Sequence, residues 1–63
     1  MKEYKKLLFI LERGKKYTEN FLVSKSSKKA FDEALEDGMI YVSGKTDISV
    51  LQYSLTEKGI QNR

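Results

Sequence analysis

Sixty-three residues make one domain, residues 1–63, and a chain this short buries only about 60% of its unfolded surface, so its stability is marginal unless something adds to it. Lys+Arg number 12 against 9 Asp+Glu, a net charge of +3 with pI near 9.2, which permits an anionic partner without demanding one. At 40% hydrophobic and 33% charged the composition is that of a globular domain rather than a disordered chain, and the lack of cysteine and histidine excludes a disulfide framework and a thiolate or imidazole metal site.

The first predicted element runs from Lys2 to Arg13, where Tyr4, Leu7, Leu8 and Leu11 fall at i, i+3, i+4 and i+7 on one helical stripe. Gly14 fits a left-handed stop, with Arg13 at the negative end of the helix. Phe9 and Ile10 lie off the stripe, as core edges or as a contact for another chain. Gly14 to Tyr17 is a short basic connector, after which Thr18 can cap a second, brief helix carrying Phe21, Leu22 and Val23. Ser24-Lys25-Ser26-Ser27 breaks that pattern, and Ser26 or Ser27 would cap a third helix running to about Asp37. Its expected buried face is Ala30, Phe31, Ala34 and Leu35; Gly38 ends it and Met39 supplies the apolar contact of such a stop.

Ile40 to Ser43 and Ile48 to Leu55 are rich in β-branched and aromatic residues and read as strands, joined by a turn at Gly44-Lys45-Thr46-Asp47. Leu51, Tyr53 and Leu55 share one strand face, while the other is apolar only toward the tip, at Ile48 and Val50. Thr56 caps a last helical turn. The predicted order is helix, helix, helix, strand, strand.

Leu35-Glu36-Asp37-Gly38-Met39-Ile40 resembles the recognition-helix exit of the winged helix-turn-helix superfamily of PadR-type and MarR-type regulators. Tyr53-Ser54-Leu55-Thr56-Glu57-Lys58-Gly59 resembles its second wing strand and Leu-Thr-x-Lys-Gly close. With their spacing, these motifs cover roughly Thr18 to Gly59. The resemblance implies an α+β fold, a winged helix-turn-helix of three helices plus a two-stranded β-hairpin wing. Those regulators continue past the Lys-Gly into a long dimer-forming helix that is not seen before Arg63, so a homodimer is expected to use helix one or the hairpin. A single module of this size also resembles products of phages and mobile elements.

The implied function is double-stranded DNA binding, as a small transcriptional regulator or phage accessory factor, with the N-terminal part of helix three in the major groove and the wing tip against backbone or minor groove. Carried onto this sequence, the groove-facing candidates are Lys25, Ser26, Ser27, Lys28 and Lys29, where lysines suit phosphates or guanine edges and the helix start adds free N–H groups. Lys45 and Thr46 are the wing candidates, and Lys15, Lys16, Tyr17 and Thr18 precede helix two, where related modules contact phosphate.

A second reading stands beside it. Lys28, Asp32 and Glu36, and likewise Lys29, Glu33 and Asp37, are spaced i, i+4, i+8 as solvated ion-pair stripes, and they put four carboxylates on the outer half of helix three, where they repel phosphate. That arrangement suits a winged-helix protein–protein interaction module, an adaptor or anti-repressor docking on a protein partner without direct DNA contact. Lys2, Lys5 and Lys6 read as a solubilising face; Tyr4, Phe31 and Tyr53 as core; Tyr17 divides evenly between a phosphate contact and packing, and Tyr41 stays open.

Catalysis is not expected. No histidine or cysteine is present for acid–base or nucleophilic work, and the four glycines are isolated rather than clustered in a phosphate loop. No cofactor and no metal are implied. The apolar run Leu7 to Leu11 is too short for a membrane span, and Glu12-Arg13-Gly14 replaces a signal-cleavage site, so the expected location is cytoplasmic with no membrane partner.

Overall fold

A computed structural model of the chain describes residues 3–63. The architecture is α+β, in the order α1 (Lys5–Ile10), β1 (Tyr17–Thr18), α2 (Glu19–Lys25), α3 (Lys28–Glu36), β2 (Ile40–Lys45), β3 (Leu51–Leu55) and α4 (Glu57–Gln61). The expected three helices and two strands become four helices and a three-stranded antiparallel sheet in the order β1-β3-β2. The additional strand is two residues long and pairs Tyr17 with Tyr53 and Thr18 with Gln52. Two residues carry too little alternation to announce a strand. Among the described residues no helix is long and apolar enough to cross a membrane.

The stripe on the first helix is real but the helix is shorter than its periodicity. Tyr4, Leu7, Leu8 and Leu11 are all buried, yet α1 stops at Ile10 and Leu11 turns extended. The Glu12 N–H is taken by the Tyr17 hydroxyl at 2.9 Å in place of a helical carbonyl. Gly14 therefore does not cap the helix. It adopts φ +79° in a separate turn closed by the Lys15 N–H on the Glu12 carbonyl.

Helices α2 and α3 are separated by Ser26 and Ser27 alone, and both start on side-chain caps. The Thr18 hydroxyl accepts from the Phe21 N–H at 3.3 Å, and the Ser27 hydroxyl, rather than that of Ser26, accepts from the Ala30 N–H at 3.0 Å. Helix α3 ends as its sequence predicts. The Gly38 N–H reaches the Leu35 carbonyl, the Met39 N–H reaches the Ala34 carbonyl, and Gly38 holds φ +76° with Met39 buried behind it. Ala30, Phe31 and Ala34 face inward, but Leu35 stays 37% exposed at the edge of that face.

The core gathers the α1 stripe, Leu22, Ala30, Phe31, Ala34, Met39, Ile40, Tyr53 and Leu55, with Phe31 meeting Tyr53 edge-on at 5.0 Å between centroids. Register slips between Val42 and Gly44, which keeps Gly44 and Lys45 inside β2, opposite Gln52 and Leu51. The expected turn at residues 44–47 and the expected strand from Ile48 are thereby displaced, and the tip spans 46–50. Leu51 shares a strand face with Tyr53 and Leu55 but lies beyond the core, exposed.

Candidate nucleic-acid interface

The candidate residues form a surface rather than a cleft, and among the described residues there is no pocket. Their side chains fall into four states: hydroxyls that hold the fold, a packed tyrosine, lysines tied to carboxylates, and lysines that make no ion pair among the described residues.

The caps come first because they fix the rest. Thr18 and Ser27 spend a hydroxyl lone pair on helix N–H groups, and the Ser26 hydroxyl donates to the Leu22 carbonyl at 2.9 Å. Thr46 does the same for the hairpin tip: its hydroxyl accepts from the Val50 N–H at 3.1 Å, and its own N–H donates to the Val50 carbonyl at 2.9 Å. Tyr17 is a packing residue. Its ring stacks on Phe21 at 5.3 Å, it lies against the core, and its hydroxyl accepts from Glu12.

Lys28 and Lys29, the lysines expected to lead into a groove, are tied to carboxylates. The Lys28 amine lies 3.0 Å from Asp32 and 3.2 Å from Glu19, over the Phe31 ring. Asp32 first and Glu19 second push its pKa above the ordinary lysine value. Lys29 does not join Glu33 down its own helix; it pairs with Glu3 at 3.0 Å, which raises its pKa likewise. The reason is geometric: the segment before α1 lies against α3, where the Glu3 N–H also donates to Glu33. Lys15 pairs with Glu12, and the hydrogen bond between them raises the amine and lowers the carboxylate. Arg13, not named by the sequence pattern, pairs with Glu57 and pins α4 to the turn after α1.

Lys16, Lys25 and Lys45 are the candidates that no ion pair holds among the described residues; all three are exposed. Lys25 stands over Phe21, 5.6 Å from the ring centroid. Lys16 lies across the sheet, where a Cβ built on Gly44 would stand 3.2 Å from its amine. Lys45 is the residue next to that Gly44 and closes β2 at the hairpin tip. Lys16 and Lys45 are thus brought to one end of the sheet, Lys25 to the junction of α2 and α3.

One feature was not read from the sequence. The Ser54 hydroxyl is buried and hydrogen-bonds the Lys15 carbonyl and the Ser43 hydroxyl, each at 2.7 Å, which fastens the basic connector onto the hairpin. A serine at a strand's outward position gives no signal for that. Ile48, which the sequence puts on the apolar part of the hairpin's other face, is 81% exposed at the tip. Comparison with known proteins adds no relative to this geometry: no family model, no curated protein and no solved structure matches the chain.

Proposed function

We propose that the chain is a winged helix-turn-helix that binds double-stranded DNA, as a small transcriptional regulator or accessory factor rather than an enzyme. The observation that carries the reading is the succession of a capped two-helix unit with a two-residue junction and a β-hairpin, with lysines that make no ion pair among the described residues at both: Lys25 at the junction, Lys16 and Lys45 at the hairpin. Helix α2, the Ser26-Ser27 turn and α3 supply the helix-turn-helix; β2, β3 and the tip supply the wing. The α3 start offers the phosphate backbone a positive helix end beside Lys25, Lys28 and Lys29.

The acidic ties on Lys28 and Lys29 do not prevent this. Both are exposed surface pairs, and such pairs are worth about 0–1 kcal/mol each. A duplex phosphate can displace a carboxylate held that weakly, at some loss of affinity.

The protein–protein reading is favoured by one specific observation. Phe9 is 65% exposed and Ile10 lies beside it on α1, outside the DNA-facing surface, so a protein partner or a second copy has an apolar surface to meet.

The deciding experiment is a fluorescence anisotropy titration of a mixed-sequence duplex at two salt concentrations. DNA binding through these lysines predicts an affinity that falls steeply with salt. The Lys25→Ala/Lys45→Ala double variant should bind more weakly with a salt slope shallower by about 2. Unchanged affinity and slope in a folded double variant would move the site elsewhere, and no binding at low salt would favour the protein partner.

A further inference from the structure

We infer that the outer side of β2 is a dimer edge, which pairs antiparallel with β2 of a second copy about a two-fold axis at Tyr41. The contact lies on the free edge of the sheet rather than on α1, and it does not depend on the DNA reading.

The sheet ends on β2, and among the described residues no strand pairs with its outer side. The ladder decides which backbone groups face out. The Thr56 N–H donates to the Met39 carbonyl, and Tyr41 stands opposite Ser54 in the same register, so residues 39 and 41 turn their groups toward β3. Alternation then points the N–H and C=O of Ile40 and Val42 away from it. Such groups match an extended chain, which sets this strand apart from a merely apolar patch. The far half of β2 is guarded. Its register slips between Val42 and Gly44, and Lys45 puts a charge on its end; both oppose pairing. From Ile40 to Val42 there is no charge, no proline and no slip.

The same three residues select a second copy as the occupant. A two-fold axis at Tyr41 sets Ile40 opposite the partner's Val42, and Val42 opposite the partner's Ile40. Outward groups then meet outward groups, and each pair exchanges both its hydrogen bonds. The side chains match too. Val42 shares a face with buried Ile40 yet is 48% exposed, because the core ends there. The partner's Ile40 covers it and carries the core across the axis. Tyr41, on the other face and 49% exposed, meets the partner's Tyr41 in the closer, directly opposed kind of pair that suits aromatic rings. Charge agrees with this order. Antiparallel strands keep the two Lys45 apart and carry each toward the start of the partner's β2, which Glu36 and Asp37 precede. The opposite edge of the sheet, β1, is only two residues long, so the assembly closes as a dimer.

Sedimentation of the chain over a concentration series, without DNA, reads the association. The contact is smaller than a standard interface, so a monomer–dimer equilibrium is expected with its midpoint at roughly 100 μM. Val42→Lys, at an exposed position, should keep its circular dichroism and stay monomeric, while Phe9→Glu should dimerise like wild type. The register is read by Tyr41→Cys, in a chain that otherwise has no cysteine. Directly opposed residues of this kind have Cα atoms about 4.5 Å apart, within disulfide reach, so oxidised glutathione should link Tyr41→Cys about tenfold faster than Phe9→Cys. Three results would each overturn the edge pairing: a wild-type chain monomeric up to about 1 mM, a dimer broken by Phe9→Glu but not by a folded Val42→Lys, or equal linking rates at the two cysteines. If Val42→Lys does not fold, the linking rates decide.

Discussion

At Gly59 a Cβ would stand 2.2 Å from the Met39 carbonyl oxygen and 2.9 Å from a Leu55 methyl. The same oxygen accepts the Thr56 N–H at 3.0 Å, and the Thr56 hydroxyl lies 2.6 Å from the Gly38 carbonyl while accepting the Gly59 N–H at 2.9 Å. The Leu-Thr-Glu-Lys-Gly close thus works as a clasp. It brings the first turn of α4 flush against the chain leaving α3, and only a residue without a side chain fits. Gly38 is needed for a different reason, since its φ is +76° while nothing lies within 4 Å of its missing Cβ. The two substitutions should therefore separate. Gly38→Ala is expected to cost about 1 kcal/mol of conformational strain, and Gly59→Ala, which must shift backbone, about 3 kcal/mol or more, measured by urea denaturation. Equal losses would mean that the α4 clasp yields without consequence. Both glycines stood out in the sequence as punctuation. The difference between them did not, because the Met39 carbonyl is a tertiary neighbour twenty residues away.

Between the elements, the start of α1 is tied to the end of α3 by the Tyr4 hydroxyl, which donates to the Asp37 carboxylate at 2.8 Å. That hydrogen bond, reinforced by burial and by the charge of Asp37, raises the Tyr4 pKa above 10.0. The protonated phenol is the form the fold prefers, so the contribution is fully present below pH 10 and is lost as pH rises through the raised value. Tyr4→Phe should be less stable than wild type by about 1 kcal/mol at neutral pH, and the gap should close above pH 10. A gap that stays constant into strong alkali would show that Tyr4 stabilises by ring packing alone. The elements were legible where a period of several residues or a paired stop signal marked them: the α1 stripe, the Thr18 cap, a cap at Ser26 or Ser27, the Gly38 stop. They were not legible where tertiary pairing decides. The two residues of β1 become a strand only because Tyr53 and Gln52 lie alongside, the bulge that draws Gly44 into β2 is set across the ladder, and Leu11 leaves its helix to reach the core.

Over the whole molecule, the +3 charge is less informative than where it is left unpaired. Lys15, Lys28 and Lys29 face carboxylates, while Lys16, Lys25 and Lys45 do not. Helical spacing announced the Lys28–Asp32 pair, but not the partners Glu19 and Glu3, which come from other elements, and Lys29 leaves its expected Glu33 for Glu3. The sequence put its basic candidates at the junction before α3 and at the hairpin end, and the lysines outside ion pairs among the described residues lie there. We propose that this region, and not the apolar face of α1, meets a DNA duplex. Amide-resolved NMR of the labelled chain during addition of a short duplex tests it most directly. Shifts are expected at residues 25–31 and 45–51, with Phe9 and Ile10 unmoved; shifts centred on α1, or none at all at low salt, would overturn DNA binding through this region.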